Sequence, residues 1–238
     1  MTPRRIVLIV VAALVLSTSP LFAWTGSLST SDGGLTSGGN WQSATLSWDV
    51  TALSSSVYQY EYTLDVGARG DVSHMILELT QDDFFGSYAY PSVDLFNLQW
   101  YQGGNWVDWT PGNDLDIEVK EHLDTNPGNP SMPDDLFGIK MEDFGDFTSL
   151  RWRFDSQRLP VWGDFYAKGG GGPGGQNYLY NSGFAVPDPL DGPADGSIDN
   201  HLLRPNGRTP ELPPAALTGL STLPLGIAYL RGRRRRQN

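Results

Sequence analysis

Tyr58-Gln59-Tyr60-Glu61-Tyr62-Thr63-Leu64-Asp65-Val66 is the stretch on which the fold turns. Apolar side chains occupy every second position, with polar or charged ones between them. Successive side chains of a strand point to opposite faces, so this alternation predicts a strand with one buried and one wet face. The same period recurs in Leu46, Trp48 and Val50 against Ser47 and Asp49, and in Leu150, Trp152 and Phe154 against Arg151, Arg153 and Asp155. Met75, Leu77 and Leu79 share a face, with His74, Ile76 and Glu78 opposite.

Shorter strands are predicted near Leu95–Tyr101, Leu115–Val119, Phe137–Met141, Pro160–Ala167 and Tyr178–Phe184. No window carries a helical period. Closely spaced strands separated by Gly, Asn, Asp and Pro predict an all-β chain, a single antiparallel β-sandwich or jelly-roll-like domain. Two stretches read as loops, Asp124–Asp135 and the glycine run Gly169–Gly175. Gly163-Asp164 reads as a strand bend.

Gly38-Gly39-Asn40-Trp41 recurs as Gly103-Gly104-Asn105-Trp106, with Gly174-Gly175-Gln176-Asn177-Tyr178 as a looser third copy. Glycine and asparagine accept the positive φ of tight turns, so the structural reading is hairpin turns followed by an anchoring aromatic. The functional reading places Trp41, Trp106 and Trp109 on loops as stacking platforms for sugar rings.

Outside this body the chain changes character. Arg4 and Arg5 precede the apolar run Ile6–Leu16, and Leu21-Phe22-Ala23 puts a small residue before Trp24. A basic start, a short apolar run and a small residue make a signal peptide over residues 1–23, cut between Ala23 and Trp24. The alternative is a retained anchor. At the other end Pro210-Glu211-Leu212-Pro213 leads into an uncharged span, Leu212–Leu230, that ends in Arg231, Arg233, Arg234, Arg235 and Arg236. Nineteen residues at helical rise cover roughly 28 Å, close to the apolar thickness of a bilayer. Basic residues are favoured on the cytoplasmic side, which would leave everything before Pro210 outside.

This layout of motif, span and arginine cluster resembles the PEP-CTERM sorting tail, with Leu212 standing where that family has a second proline. The resemblance implies a C-terminal membrane-sorting helix within 210–238 and processing by an exosortase-type enzyme of Gram-negative bacteria. Ser73-His74, Ile76-Leu77-Glu78-Leu79, Pro160-Val161-Trp162-Gly163-Asp164-Phe165-Tyr166-Ala167-Lys168 and Asn181-Ser182-Gly183-Phe184 resemble segments of secreted cargo proteins bearing such tails. That likeness implies an exported β-rich domain and supplies no catalytic residue.

Between the two ends lie Trp24–Thr209, expected as a β-sandwich domain over residues 24–186 and an acidic Pro/Gly linker over residues 187–209. This interval holds nine Lys and Arg against twenty-six Asp and Glu, a net charge near −17. Such a surface repels phosphate backbones, so nucleic acid is excluded as a partner. The chain has no cysteine, which rules out thiol catalysis and thiolate metal sites.

His74, His122 and His201 are far apart, and neither a zinc-binding pair of helical spacing nor a nucleophile elbow is present. His74 could serve as a pH-sensitive or metal-binding residue; the structural reading makes it a hydrogen-bonded core histidine. Asp188, Asp191, Asp195 and Asp199, and Glu142, Asp143 and Asp146 around Gly145, read as solvated acidic loops, with a weak calcium site as the alternative. No other cofactor is expected. The expected function is that of a non-catalytic protein of the cell envelope or extracellular matrix, associated with exopolysaccharide. Its expected partners are the export machinery and the sorting enzyme. A polysaccharide-binding or polysaccharide-degrading module is the alternative, since paired carboxylates meet only in space.

Overall fold

The computed structural model describes residues 22–67, 71–80, 95–110, 116–142, 147–172 and 175–206. The leader before Phe22, the Pro210–Pro213 motif, the 212–230 span, the arginine cluster and the acidic residues Asp143 and Asp146 lie outside them. Among the described residues there is no α-helix, and none long and apolar enough to cross a membrane.

Fourteen strands run in order: β1 (Ala23–Ser29), β2 (Leu35–Gly38), β3 (Thr45–Ala52), β4 (Tyr58–Asp65), β5 (Val72–Glu78), β6 (Phe96–Gln102) and β7 (Asn105–Asp108). They continue as β8 (Asp116–His122), β9 (Leu136–Glu142), β10 (Ser149–Ser156), β11 (Pro160–Gly163), β12 (Phe165–Gly172), β13 (Gly175–Asn181) and β14 (Leu202–Pro205). One six-stranded sheet has the order β1-β3-β4-β10-β6-β7 and the other β2-β13-β12-β5-β9-β8, while β11 and β14 form a separate pair. Every pairing is antiparallel.

The alternation read from the sequence is the alternation observed. Tyr60, Tyr62 and Leu64 are fully buried, and register sets them beside Val50, Trp48 and Leu46 on one side and Phe154, Trp152 and Leu150 on the other. These side chains share one core with Met75, Leu77, Ile139, Met141, Phe165, Ala167 and Leu179 of the second sheet, an arrangement consistent with a β-sandwich. Tyr62 stacks on Trp152 at 5.2 Å and Tyr60 on Phe154 at 5.5 Å. Burying a hydroxyl is costly unless it is bonded. The Tyr60 hydroxyl donates to the Arg158 carbonyl (2.8 Å) and that of Tyr62 to the Leu203 carbonyl (2.9 Å).

β5 departs from simple alternation because both its faces are covered. Met75 and Leu77 enter the main core, whereas Ile76 joins Met132, Leu136, Tyr166 and Phe184 in a second cluster. Met132 comes from the stretch 124–135, which is a loop as expected but packs down onto the sheet, with the Tyr166 hydroxyl donating to the Pro130 carbonyl (2.9 Å).

Two readings are corrected. Gly169–Gly172 belongs to β12 and Gly175 opens β13, so the described glycines of the run are strand rather than loop. One of these glycines makes room for a neighbour: a Cβ on Gly169 would lie 2.5 Å from Cζ2 of Trp41, which is wholly buried. The stretch 187–206 is not an extended linker. Leu202 and Leu203 are fully buried, β14 pairs with β11, and Thr25 N–H donates to Asp195 Oδ1 (3.0 Å). A four-residue strand buried on both faces shows no period, and two of the acidic residues upstream, Asp188 and Asp195, serve as acceptors.

Candidate metal centre

The chain leaves the β11–β14 pair and enters the second sheet at a single break, Asp164, next to the Gly163-Asp164 step singled out in the sequence. Asp164 is buried, and its position is set by Asn181. The Asn181 side-chain amide donates to Asp164 Oδ1 (2.6 Å) and to the Asn200 carbonyl (3.0 Å), while Asn181 Oδ1 accepts from Phe165 N–H (3.0 Å). Beside it lies His201, with no exposed surface. Its Nε2 lies 3.6 Å from Asp164 Oδ1 and 3.7 Å from Asp188 Oδ1. Among the described residues these three are the group of carboxylate and imidazole side chains close enough together to hold a metal ion.

A guanidinium closes the other side of Asp188. Arg204, buried on β14, donates from one terminal nitrogen to Asp188 Oδ2 (2.8 Å) and Glu78 Oε1 (2.7 Å), and from the other to the Thr80 hydroxyl and the Pro205 carbonyl. Glu78 Oε2 accepts from the Asp164 backbone N–H (2.8 Å). Two carboxylates therefore share one guanidinium, with Asp164 tied to Glu78 through its backbone N–H. Burial pushes the carboxyl of Glu78 up to about 7, with Asp188 and Asp164 adding to the rise and Arg204 opposing it. Burial likewise pushes Asp164 up to about 7, the bond from Asn181 opposing and Asp188 adding. Both shifts express negative charge in a low-dielectric place with too little positive charge to balance it.

Two glycines make the packing possible. A Cβ on Gly163 would run into Arg204 Nε and lie 2.5 Å from Glu78 Oε2. On Gly183 it would lie 2.7 Å from Cε1 and 2.8 Å from Nδ1 of the His201 ring. The three body segments singled out in the sequence, around Glu78, around Gly163-Asp164 and around Asn181-Ser182-Gly183, thus converge on one place. Sequence reasoning did not single out Glu78, Asn181 or Arg204 as site residues. Each is unremarkable on its own strand, and only sheet pairing and the return of β14 bring them together.

Of the four aspartates between 187 and 209, only Asp188 joins the cluster. Asp195 caps the edge strand β1, and Asp199 adopts a positive φ of 48° in the turn before β14. Glu142 pairs with Lys140. His74 and His122 take no part: both are buried in the second sheet, and burial holds them neutral, down to about 3 and about 4, with Lys140 adding to the effect at each. Ala23 and Trp24, the residues flanking the expected cut, open β1, with Trp24 paired to Val50. Trp41 is core, and the turn glycines Gly103 and Gly104 have φ of 59° and 89°, the two positive angles that a two-residue hairpin of this hand requires. Trp106, on β7, carries the Arg153 guanidinium 4.1 Å from its ring centre and the Arg151 guanidinium at 5.0 Å.

No protein-family model, curated protein or solved structure matches this chain.

Proposed function

We propose that this chain is an exported, non-catalytic module of the cell envelope or extracellular matrix. In this reading a jelly-roll-like sandwich is delivered by a signal peptide over 1–23 and sorted through the PEP-CTERM-like tail over 210–238 by an exosortase-type enzyme. Exopolysaccharide or another surface component is its partner. One observation carries the choice over the polysaccharide-active alternative: where the aromatic side chains are placed. Trp41, Trp48, Trp152, Trp162, Tyr60 and Tyr62 are each at most 2% exposed, so their faces pack on protein rather than being free to stack on sugar. The half-exposed Trp106 has a guanidinium over its ring. The half-buried carboxylate of Glu78 and the buried one of Asp164 face Arg204 and Asn181.

The placement of the strands also supports export. β1 begins at Ala23, where the leader should end, and β14 ends at Pro205, shortly before the Pro210 motif. Fractionation of the native host with an antibody against the body tests the reading. The protein is expected in the envelope or outside the cell with Trp24 as its first residue. Deleting 210–238 should change its fraction, whereas Glu211→Ala should leave membrane insertion intact and impair processing. An intact Met1 on surface protein, or an unchanged fraction after the deletion, would refute it.

A further inference from the structure

His201 poses a chemical problem that a bound cation resolves. Its Nδ1 lies 3.3 Å from the Ile198 carbonyl oxygen. That oxygen can only accept, so this partner assigns the ring proton to Nδ1. In the neutral ring Nε2 is then a lone pair. It is fully buried, has no hydrogen-bond partner among the described residues, and is aimed at two carboxylate oxygens. Three acceptor atoms converge and none can donate to another; Asp164 Oδ1 accepts from Asn181, while His201 Nε2 has no donor. Leaving a buried acceptor unsatisfied is costly, because it has lost its water and gained no donor. The arrangement calls for positive charge at the centre.

We propose that Asp164, Asp188 and His201 bind one divalent transition-metal ion of the zinc class and so clamp the 187–206 segment to the break between β11 and β12. The donor set decides the class. Calcium and magnesium take oxygen ligands almost exclusively, whereas one imidazole with two carboxylates suits zinc and its neighbours. Spacing agrees: ligands about 2.0–2.1 Å from a tetrahedral ion are about 3.3 Å apart, close to the 3.6 and 3.7 Å observed. The outer partners are those a metal site needs. A backbone carbonyl orients the imidazole from its far nitrogen, Asn181 holds Asp164, and Arg204 holds the second oxygen of Asp188. The Asp188 side chain is 30% exposed, which gives an ion a way in from solvent. Two ligands come from the returning segment and one from the sandwich, so the ion would tie the last strand before the tail to the body. This inference does not rest on export, because binding is measured on purified protein wherever the cell sends it.

The test uses the untagged full-length chain, purified in detergent and stripped with EDTA. Zn2+ titrated calorimetrically should bind one ion per chain. At a hundredfold excess over Kd it should raise the thermal midpoint by about 5–10 °C, while Ca2+ leaves the midpoint unchanged. Co2+ in place of Zn2+ should give the visible absorption of a four-coordinate site with nitrogen and oxygen ligands. Asp188→Asn, at a partly exposed side chain, should weaken Zn2+ at least tenfold. His201→Gln should abolish stoichiometric binding. Should His201→Gln not fold, Asp188→Asn and the Co2+ spectrum decide by themselves. Absence of saturable Zn2+ binding would mean that the imidazole meets the two carboxylates as a protonated ion pair, and would overturn the proposal. Unchanged affinity in Asp188→Asn, or tighter binding of Ca2+ than of Zn2+, would overturn it too.

Discussion

Replacing Leu203 by Ala tests whether the 187–206 segment is a structural part of the domain. Leu203 has no exposed surface, lies in the main core and pairs with Trp162 across β11–β14. Leu→Ala in a core costs about 2–5 kcal/mol, the higher values applying where the site cannot collapse onto the lost atoms. Here the backbone is held in place, because its own carbonyl accepts from the buried Tyr62 hydroxyl at 2.9 Å. We therefore expect a loss of about 3–4 kcal/mol, against a total of about 5–15 kcal/mol for a typical domain. At about 2–4 °C per kcal/mol for a chain of this size, the midpoint should fall by about 6–16 °C. Circular dichroism melting and urea unfolding read this directly. Leu190→Ala is the internal control, since Leu190 belongs to the same segment but is fully exposed, and it should change stability by less than about 0.5 kcal/mol. If the two variants melt alike, within about 1 kcal/mol of wild type, the segment is a linker after all and the packing of β14 is wrong.

Trp152→Ala removes a ring that stacks on Tyr62 and should cost about 3–5 kcal/mol; an unchanged melt would refute the strand phase of β10. Gly163→Ala should cost about 1–3 kcal/mol in the same assay, because the added methyl forces Arg204 and Glu78 apart, and a neutral result would show that the cluster is looser than described. His74 and His122 should make stability fall with acid. Their folded values, about 3 and about 4, lie below the ordinary value near 6.5, so between these limits the unfolded chain takes up the extra protons. Their contribution is complete above about pH 6.5 and is lost as pH drops toward 4, at about 1.4 kcal/mol per pH unit for His74. Urea midpoints at pH 7 and pH 5, measured in EDTA, should converge in His74→Gln relative to wild type; identical pH dependence in the two would refute the assignment.

What could be read from the chain was what repeats locally. The tyrosine-rich strand, its partners Leu46–Val50 and Leu150–Phe154, and the paired glycines of the β6–β7 turn follow from a two-residue period and from φ angles that only certain residues tolerate. Each is a property of neighbouring residues, so it survives in the linear order and was enough for an all-β, antiparallel chain. β14 was not legible, because four residues buried on both faces have no polar phase to reveal them. Nor was the glycine strand of β12, where Gly169 answers to Trp41, more than a hundred residues away.

The cluster of Asp164, Asp188 and His201 belongs wholly to tertiary structure. Asp188 looked like one more acidic residue of a linker, His201 an isolated histidine, and Glu78 and Arg204 the polar side of short strands. They acquire chemistry only when β14 returns beside β11 and sets Arg204 opposite Val161, next to the break before β12. Charge and donor geometry depend on distances in space, which separations from 16 residues (Asp188 to Arg204) to 126 (Glu78 to Arg204) along the chain do not encode.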